Sequence, residues 1–188
     1  MDDAKKPNEP ASTETSPWAK IMTDEEYYPF LVKKKLRPAL WRWKDVVPVL
    51  QGMSDDPNKN ADRRFIGLVH DDLGDSGGCA PTVYFGMQWI NPGEHVKPHR
   101  HNTFAIYHMM QGTGYSIVDG VRLDWEKGDT FMCPAWSLHE HFNTGDEPAI
   151  MIGVQDFPAR AGERNLMFEE VPGKPFHVVA GAAPQDGD

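Results

Sequence analysis

With 188 residues, 39% of them hydrophobic, the chain can bury one core and carry polar extensions, and it is short for a two-domain enzyme. Its 28 acidic residues against 19 basic give a net charge of −9, and the one basic cluster is Lys33-Lys34-Lys35, which argues against a nucleic-acid or anionic-membrane surface. No apolar run is long enough to span a bilayer and the start Met1-Asp-Asp-Ala-Lys-Lys lacks the apolar segment of a signal peptide. The expectation is therefore a cytoplasmic protein with no membrane partner, whose cysteines, Cys79 and Cys133, are free thiols.

In chain order, residues 1–20 are rich in Pro, Ser, Thr and charge, and are expected to be a disordered tail. Residues 21–62 read as a helical or extended arm. Within it Thr23-Asp-Glu-Glu26 is a capping box opening a short helix through Tyr27, Tyr28, Phe30 and Leu31, with Pro29 limiting its regularity. The stretch from Leu36 to Leu50, with Trp41 and Trp43, is expected to be buried against the next domain, and residues 51–62 to be an exposed loop. A barrel is expected over 63–160, entered by the strand-like run Arg63 to Val69, a glycine-rich loop over 71–81, and the strand Thr82 to Ile90 before the Asn91-Pro-Gly93 turn. Short strands follow at Ala105 to Met110 and Tyr115 to Val118, separated by the turn signals Gln111-Gly112 and Asp119-Gly120. Ala149 to Val154 makes the last clear strand, and 161–188 is a carboxy-terminal extension, loose from about Gly181.

Two segments carry chemistry: Gly93-Glu-His-Val-Lys-Pro-His99-Arg-His101, and Gly128 through Pro134, Trp136, His139 and His141 to Asn143. Side chains at i and i+2 of a strand share a face, so His99 and His101 can present two imidazoles to one point, with His139 closing a third side. This is a metal site. His95 is in phase with these ligands but near a turn, so a rim position is expected, while His70 and His177 are expected at the surface.

The paired segments resemble the two motifs of the cupin superfamily, with Trp136 where cupins often carry Gly. The resemblance implies an all-β double-stranded β-helix, or jelly-roll, barrel. Many cupins add a Glu ligand after His-x-His, whereas this chain has Ala105 and Ile106 there, so three neutral histidines form the expected ligand set. The likeness narrows to the gentisate 1,2-dioxygenase-like branch on Trp41-Arg-Trp43, Arg63-Arg64, Tyr84-Phe-Gly-Met-Gln88, Pro98-His-Arg-His101, Pro134-Ala-Trp136 with His139-Glu-His141, and Asp156-Phe-Pro158. Members of that branch are usually double-cupin chains, and this sequence resembles their metal-bearing amino-terminal cupin.

What the resemblance implies is Fe(II) at His99, His101 and His139, and a dioxygenase cleaving a ring or a carbon–carbon bond of a small oxygenated, aromatic substrate with O2. Three imidazoles leave the metal its full double charge, which favours an anionic chelate. His141 resembles a pocket histidine of the family that serves a substrate oxygen or O2, against a structural role. Tyr84, Gln88 and Asp156 match positions that touch substrate or its neighbours, with mutual hydrogen bonding or capping as the alternative. Trp136 is either core or a wall for a flat ligand, and Arg63 or Arg64 can offer a guanidinium to a carboxylate or phenolate. Tyr107 stands in phase with Ala105, where the dioxygenases carry an arginine. A neutral hydroxyl there predicts a preference for substrates without the gentisate carboxylate, or with one met by Arg63 or Arg64. The alternatives are a metal-dependent isomerase or lyase using His141 or Tyr107 as base, and a non-catalytic small-molecule-binding cupin. A homodimer or larger homo-oligomer is expected from the apolar arm around Trp41, Trp43 and Leu50.

Overall fold

A computed structural model describes residues 15–170, 173–174 and 176–178, and divides the chain into a unit ending at Lys35 and a larger one from Leu36 onward. Most of the expected disordered tail, and the chain from Gly181, lie outside the described residues. In the first unit α1 (Asp24–Leu31) is opened by the expected capping box: Thr23 Oγ1 accepts from the Glu26 amide at 3.4 Å, and Glu26 Oε2 accepts from the Thr23 amide at 3.0 Å. None of its residues is buried.

The larger unit is built from strands β1 (Phe65–Gly67), β2 (Tyr84–Ile90), β3 (His95–His101), β4 (Ala105–Gln111), β5 (Thr113–Val118), β6 (Val121–Glu126), β7 (Thr130–Cys133), β8 (His139–Asn143), β9 (Ala149–Gln155), β10 (Met167–Glu169) and β11 (Phe176–His177). They form two antiparallel sheets, ordered β1-β2-β9-β4-β7 and β11-β10-β3-β8-β5-β6. Alternation decides which side chains face inward. Tyr84, Gly86, Gln88 and Ile90 of β2 share a face, as do Ala105, Tyr107 and Met109 of β4, and a core runs through Ile90, Val96, Met109, Val118, Trp125 and Met151. The β5–β6 hairpin turns at Asp119 (φ 48°) and Gly120 (φ 80°), the left-handed pair that matches strand twist.

On the opposite face of the five-stranded sheet lies α2 (Trp43–Ser54). Val46 and Leu50, one turn apart, pack with Met87 and the partly buried Phe85, Trp89 and Ile152. The helical period therefore supplies the buried anchors, and the tryptophans expected to do so remain 37% (Trp41) and 43% (Trp43) exposed. The expected loop over 51–62 is partly this helix and ends in a 3-10 turn, Ala61–Arg63, so Arg63 is not a strand residue. Nor does the sheet stop at residue 160: α3 (Phe157–Gly162) leads into β10, which pairs with β3 at His101. Among the described residues no helix is long and apolar enough to cross a membrane.

Candidate metal centre and substrate cavity

His99 and His101 lie on β3 and His139 opposite on β8, where His99 and His139 are register partners. Their candidate ligand nitrogens all lie within 4.8 Å of one another. A register shift between Val96 and His99, at Lys97-Pro98, resets the strand's phase, so that Val96 and His101 are both buried. Pro98 has no amide hydrogen to lose to the ladder, which suits it to this bulge. The same bulge takes His95 out of phase with the ligands, and its exposed ring stacks on Phe142 at 4.9 Å.

Each of the three rings is oriented by its Nδ1. His99 Nδ1–H donates to Lys97 O at 2.8 Å, His139 Nδ1–H to Ser137 O at 2.8 Å, and His101 Nδ1–H to Thr103 O at 3.0 Å and Thr103 Oγ1 at 2.7 Å. Thr103 Oγ1 passes its own proton to Gln155 Oε1 at 3.2 Å. With Nδ1 protonated, Nε2 is left as a lone pair on every ring, which is the form a divalent cation requires. Burial first, then the neighbouring His99, lowers His101 to about 4; burial likewise lowers His99 and His139. All three are neutral at pH 7, and as a nitrogen-donor set they fit a transition metal.

His99, His101 and Tyr107 line a cavity of about 640 Å3 whose other walls include Tyr84, Gln88 and Phe157. Tyr107 is 5% exposed, and its hydroxyl donates to His139 Nε2 at 3.3 Å, so its acceptor is the lone pair a metal would take. His141 does not line the cavity. Its ring lies 5.5 Å from His139 and 4.7 Å edge-on from Tyr107. Trp125 Nε1–H donates to Ser116 Oγ at 2.9 Å, and Ser116 Oγ lies 2.8 Å from His141 Nδ1. The hydroxyl can then give its proton to Nδ1, leaving Nε2 as the hydrogen-bearing nitrogen, fully buried and without a partner among the described residues. Burial, then His99 and His101, brings His141 down to about 3.

Other expected site residues divide. Tyr84 lines the cavity, its ring so close over Gly86 that a Cβ there would clash with the Tyr84 hydroxyl; that hydroxyl donates to Ile66 O at 3.3 Å, and burial pushes it up to about 12. Gln88 also lines it while giving its amide to Ala61 O at 2.9 Å. Arg63 sits at the wall, paired with Glu170 at 2.9 Å. Arg64 does not: it is buried against Glu94 and donates to Lys59 O at 2.6 Å, pinning the β2–β3 turn. Asp156 is outside the cavity: its carboxylate accepts from the Phe104 amide at 3.1 Å and from Arg160 Nε at 3.1 Å, and it makes no side-chain cap on α3. Trp136 is outside the cavity, its ring 4.7 Å from the Arg100 guanidinium. Its φ of 67° explains why a glycine is common there, and its amide donates to His101 O at 2.7 Å. His70, expected at the surface, is 8% exposed: its Nδ1 accepts from the Asp72 amide at 3.1 Å and its Nε2–H donates to Arg37 O at 2.8 Å.

Sequence reasoning missed Phe157 and Phe168, whose rings meet His101 edge-on at 5.2 and 5.7 Å, together with Gln155 and Glu170 on the cavity wall. Phe157 adjoins the Asp156 motif and was within reach of it. Phe168 lies in a three-residue strand, too short to show a period.

Comparison with known proteins agrees with this geometry. The family described as Cupin domain matches residues 86–154. A 5-nitrosalicylic acid 1,2-dioxygenase from Bradyrhizobium sp is 36% identical over 172 residues, 88% of this chain and 83% of that protein. A gentisate 1,2-dioxygenase from Streptomyces sp is 30% identical over 124 residues, 64% of this chain but 35% of that protein. The crystal structure of a salicylate 1,2-dioxygenase from Pseudaminobacter salicylatoxidans superposes with a TM-score of 0.69 at 26% identity, covering 77% of this chain and 42% of that one. The chain thus spans most of the first relative and less than half of the other two. Fold, histidine cluster and these relatives together place the chain in the gentisate 1,2-dioxygenase-like family of ring-cleaving cupin dioxygenases.

Proposed function

We propose that the chain holds Fe(II) through His99, His101 and His139 and cleaves the ring of a small hydroxylated aromatic compound with O2. The observation that carries this reading is the convergence of three Nε2 lone pairs, each fixed by a protonated Nδ1, beside a cavity of about 640 Å3, a size that suits one aromatic ring and its substituents. When bound, the metal supplies a doubly charged anchor for an anionic substrate oxygen and the redox capacity to join O2 to an electron-rich ring.

The protein's own contribution is orientation and proton placement. Phe157 and Tyr84 offer apolar faces to a flat ligand, and Phe168 extends that wall. Tyr107 holds a hydroxyl that burial keeps protonated at any physiological pH. Once His139 Nε2 serves as a ligand atom, that hydroxyl needs a new acceptor, and a substrate oxygen in the cavity is the acceptor its position favours. His141 keeps a second donor, Nε2–H, behind Tyr107, and in this reading its ring, 4.7 Å edge-on, positions Tyr107. The names of the relatives, 5-nitrosalicylic acid, gentisate and salicylate dioxygenases, make hydroxylated aromatic acids the first compounds to try, with their decarboxylated analogues beside them.

Within the same proposal the chain acts in the cytoplasm, consistent with its two free thiols, and assembles as a dimer or larger, which the exposed Leu40, Trp41 and Val69 support. Light scattering at micromolar concentration tests the assembly, and a monomer contradicts it. For the activity, Fe(II)-loaded protein in an oxygen electrode should consume O2 with at least one ring of the panel. No consumption with any, from protein carrying stoichiometric iron, contradicts the reading.

A further inference from the structure

Among the described residues two glutamines line the cavity, Gln88 and Gln155, and Gln88 already gives an amide hydrogen to Ala61 O at 2.9 Å. Gln155, the last residue of β9, is 8% exposed, and the direction of its amide is set from the metal centre. His101 Nδ1 faces the carbonyl of Thr103, which can only accept, so Nδ1 carries a hydrogen and has no lone pair for a second donor. Thr103 Oγ1, 2.7 Å from that nitrogen, therefore accepts there, and its own hydrogen goes to Gln155 Oε1 at 3.2 Å. Thr103 is fully buried, so an amide turned the other way would leave this hydroxyl hydrogen with no acceptor. Oε1 is thus held at Thr103, and Nε2 is the end left to the cavity, where its hydrogens have no acceptor among the described residues. Gly153, two residues earlier on the same face of β9, carries no side chain. A Cβ there would touch both Gln155 Nε2 and the Tyr107 ring, so the space above Gly153 lies between the two.

We propose that Gln155 is a specificity-determining residue whose Nε2 hydrogens receive an oxygen of the substrate's carboxylate above Gly153. The inference rests on the reading of the cavity as an aromatic-substrate site. A carboxylate suits the position because the amide nitrogen only donates and an ionised carboxyl only accepts, with lone pairs to spare where its other oxygen meets a cation. A ring hydroxyl gains less there, since a hydrogen bond to an ionised oxygen is roughly twice as strong as one between neutral groups. The compounds that the relatives' names carry, 5-nitrosalicylic acid, gentisate and salicylate, all bear that group. The hydrogen that orients the His101 ring also decides which end of Gln155 the substrate meets.

The test is equilibrium binding, by calorimetry under anaerobic conditions so that nothing turns over, of gentisate and hydroquinone to the Fe(II)-loaded chain. Wild type, Gln155→Leu and Thr103→Val are compared, with metal content and circular dichroism establishing that each is folded and loaded. Gln155→Leu should lower the affinity for gentisate relative to hydroquinone by about tenfold. Thr103→Val keeps the backbone carbonyl that orients His101 but frees the amide to turn, so it should lower the same ratio by about twofold, the effect of presenting the donor end half of the time. A ratio unchanged in Gln155→Leu, or an equal loss for both rings, overturns the assignment while leaving the aromatic-substrate reading intact. A ratio unchanged in Thr103→Val overturns the relay, and decides against the assignment by itself where Gln155→Leu fails to fold or load. Binding of neither ring to wild type overturns the aromatic-substrate reading, and this inference with it.

Discussion

Ser116 is a small residue on which two buried groups depend. It is fully buried on β5, where its Oγ accepts from Trp125 Nε1 at 2.9 Å and donates to His141 Nδ1 at 2.8 Å. Ser116→Ala removes one oxygen and strands both partners, Trp125 at 4% exposure and His141 at 1%, where water cannot replace it. A buried polar group left unpaired costs roughly 1–3 kcal/mol, so the substitution should cost about 2–5 kcal/mol, a large share of the stability of a domain this size. Urea unfolding of the metal-free protein measures it as a lower midpoint at unchanged slope. Trp125→Phe takes away one stranded donor, so the double variant should be less destabilised than the sum of the single ones by at least about 1 kcal/mol. A Ser116→Ala cost below about 0.5 kcal/mol, additive with Trp125→Phe, would refute the network and with it the assignment of the proton to His141 Nε2.

Tyr107→Phe should bind metal at least as well as wild type, since the hydroxyl competes for His139 Nε2, while losing roughly 1.5–3 kcal/mol of hydrogen bonding to a charged substrate oxygen; calorimetry of metal binding and kcat/KM read the two effects separately. His141→Gln should retain metal yet lower turnover, with about 10²-fold the size expected of a general base and a smaller loss that of a group positioning Tyr107, while wild-type turnover in that variant would leave His141 a purely structural role. The His141 pKa is depressed in the fold, to about 3, so as pH falls below about 6.5 the unfolded chain takes up its proton first. Its stabilisation is complete above that value and is lost as pH drops toward 3, at about 1.4 kcal/mol per unit. Metal-free His141→Gln should accordingly lose about 2 kcal/mol less than wild type between pH 7 and 5 in urea unfolding. Leu50→Ala, at a site with no exposed surface between α2 and the sheet, should cost about 2–5 kcal/mol by the same assay, and a cost under 1 would mean that α2 is not anchored there.

Period-two alternation and spacing made the metal centre legible: His99 and His101 two apart on a strand, with His139 after the second glycine–proline segment, converge as expected. The same rule puts Tyr107 inward, and it holds because β4 is regular until its bulge near Gln111. The rule failed at His95, where the Lys97-Pro98 bulge intervenes and no sequence period can show it. Arginines were the least legible residues. Arg63 and Arg64 are neighbours, yet one reaches the cavity and the other a buried turn, because their long side chains follow partners, Glu170 and Glu94, that are remote in sequence. Trp136 and Asp156 lie outside the cavity for a related reason: a left-handed backbone and a helix-entry turn set their directions, where strand alternation does not apply. The wall formed by Phe157 and Phe168 depends on β10 folding back onto β3, a long-range pairing with no local signature.

The three imidazoles are the centre of the proposed site, and anaerobic Fe(II) titration of wild type beside His139→Ala tests them. His139 is the ligand supplied from β8 and is 1% exposed, so its loss removes one donor from the site without touching β3. One Fe(II) per chain in wild type, and at least about tenfold weaker binding in a folded His139→Ala, is the predicted result. Stoichiometric, equally tight iron in His139→Ala would contradict the ligand set.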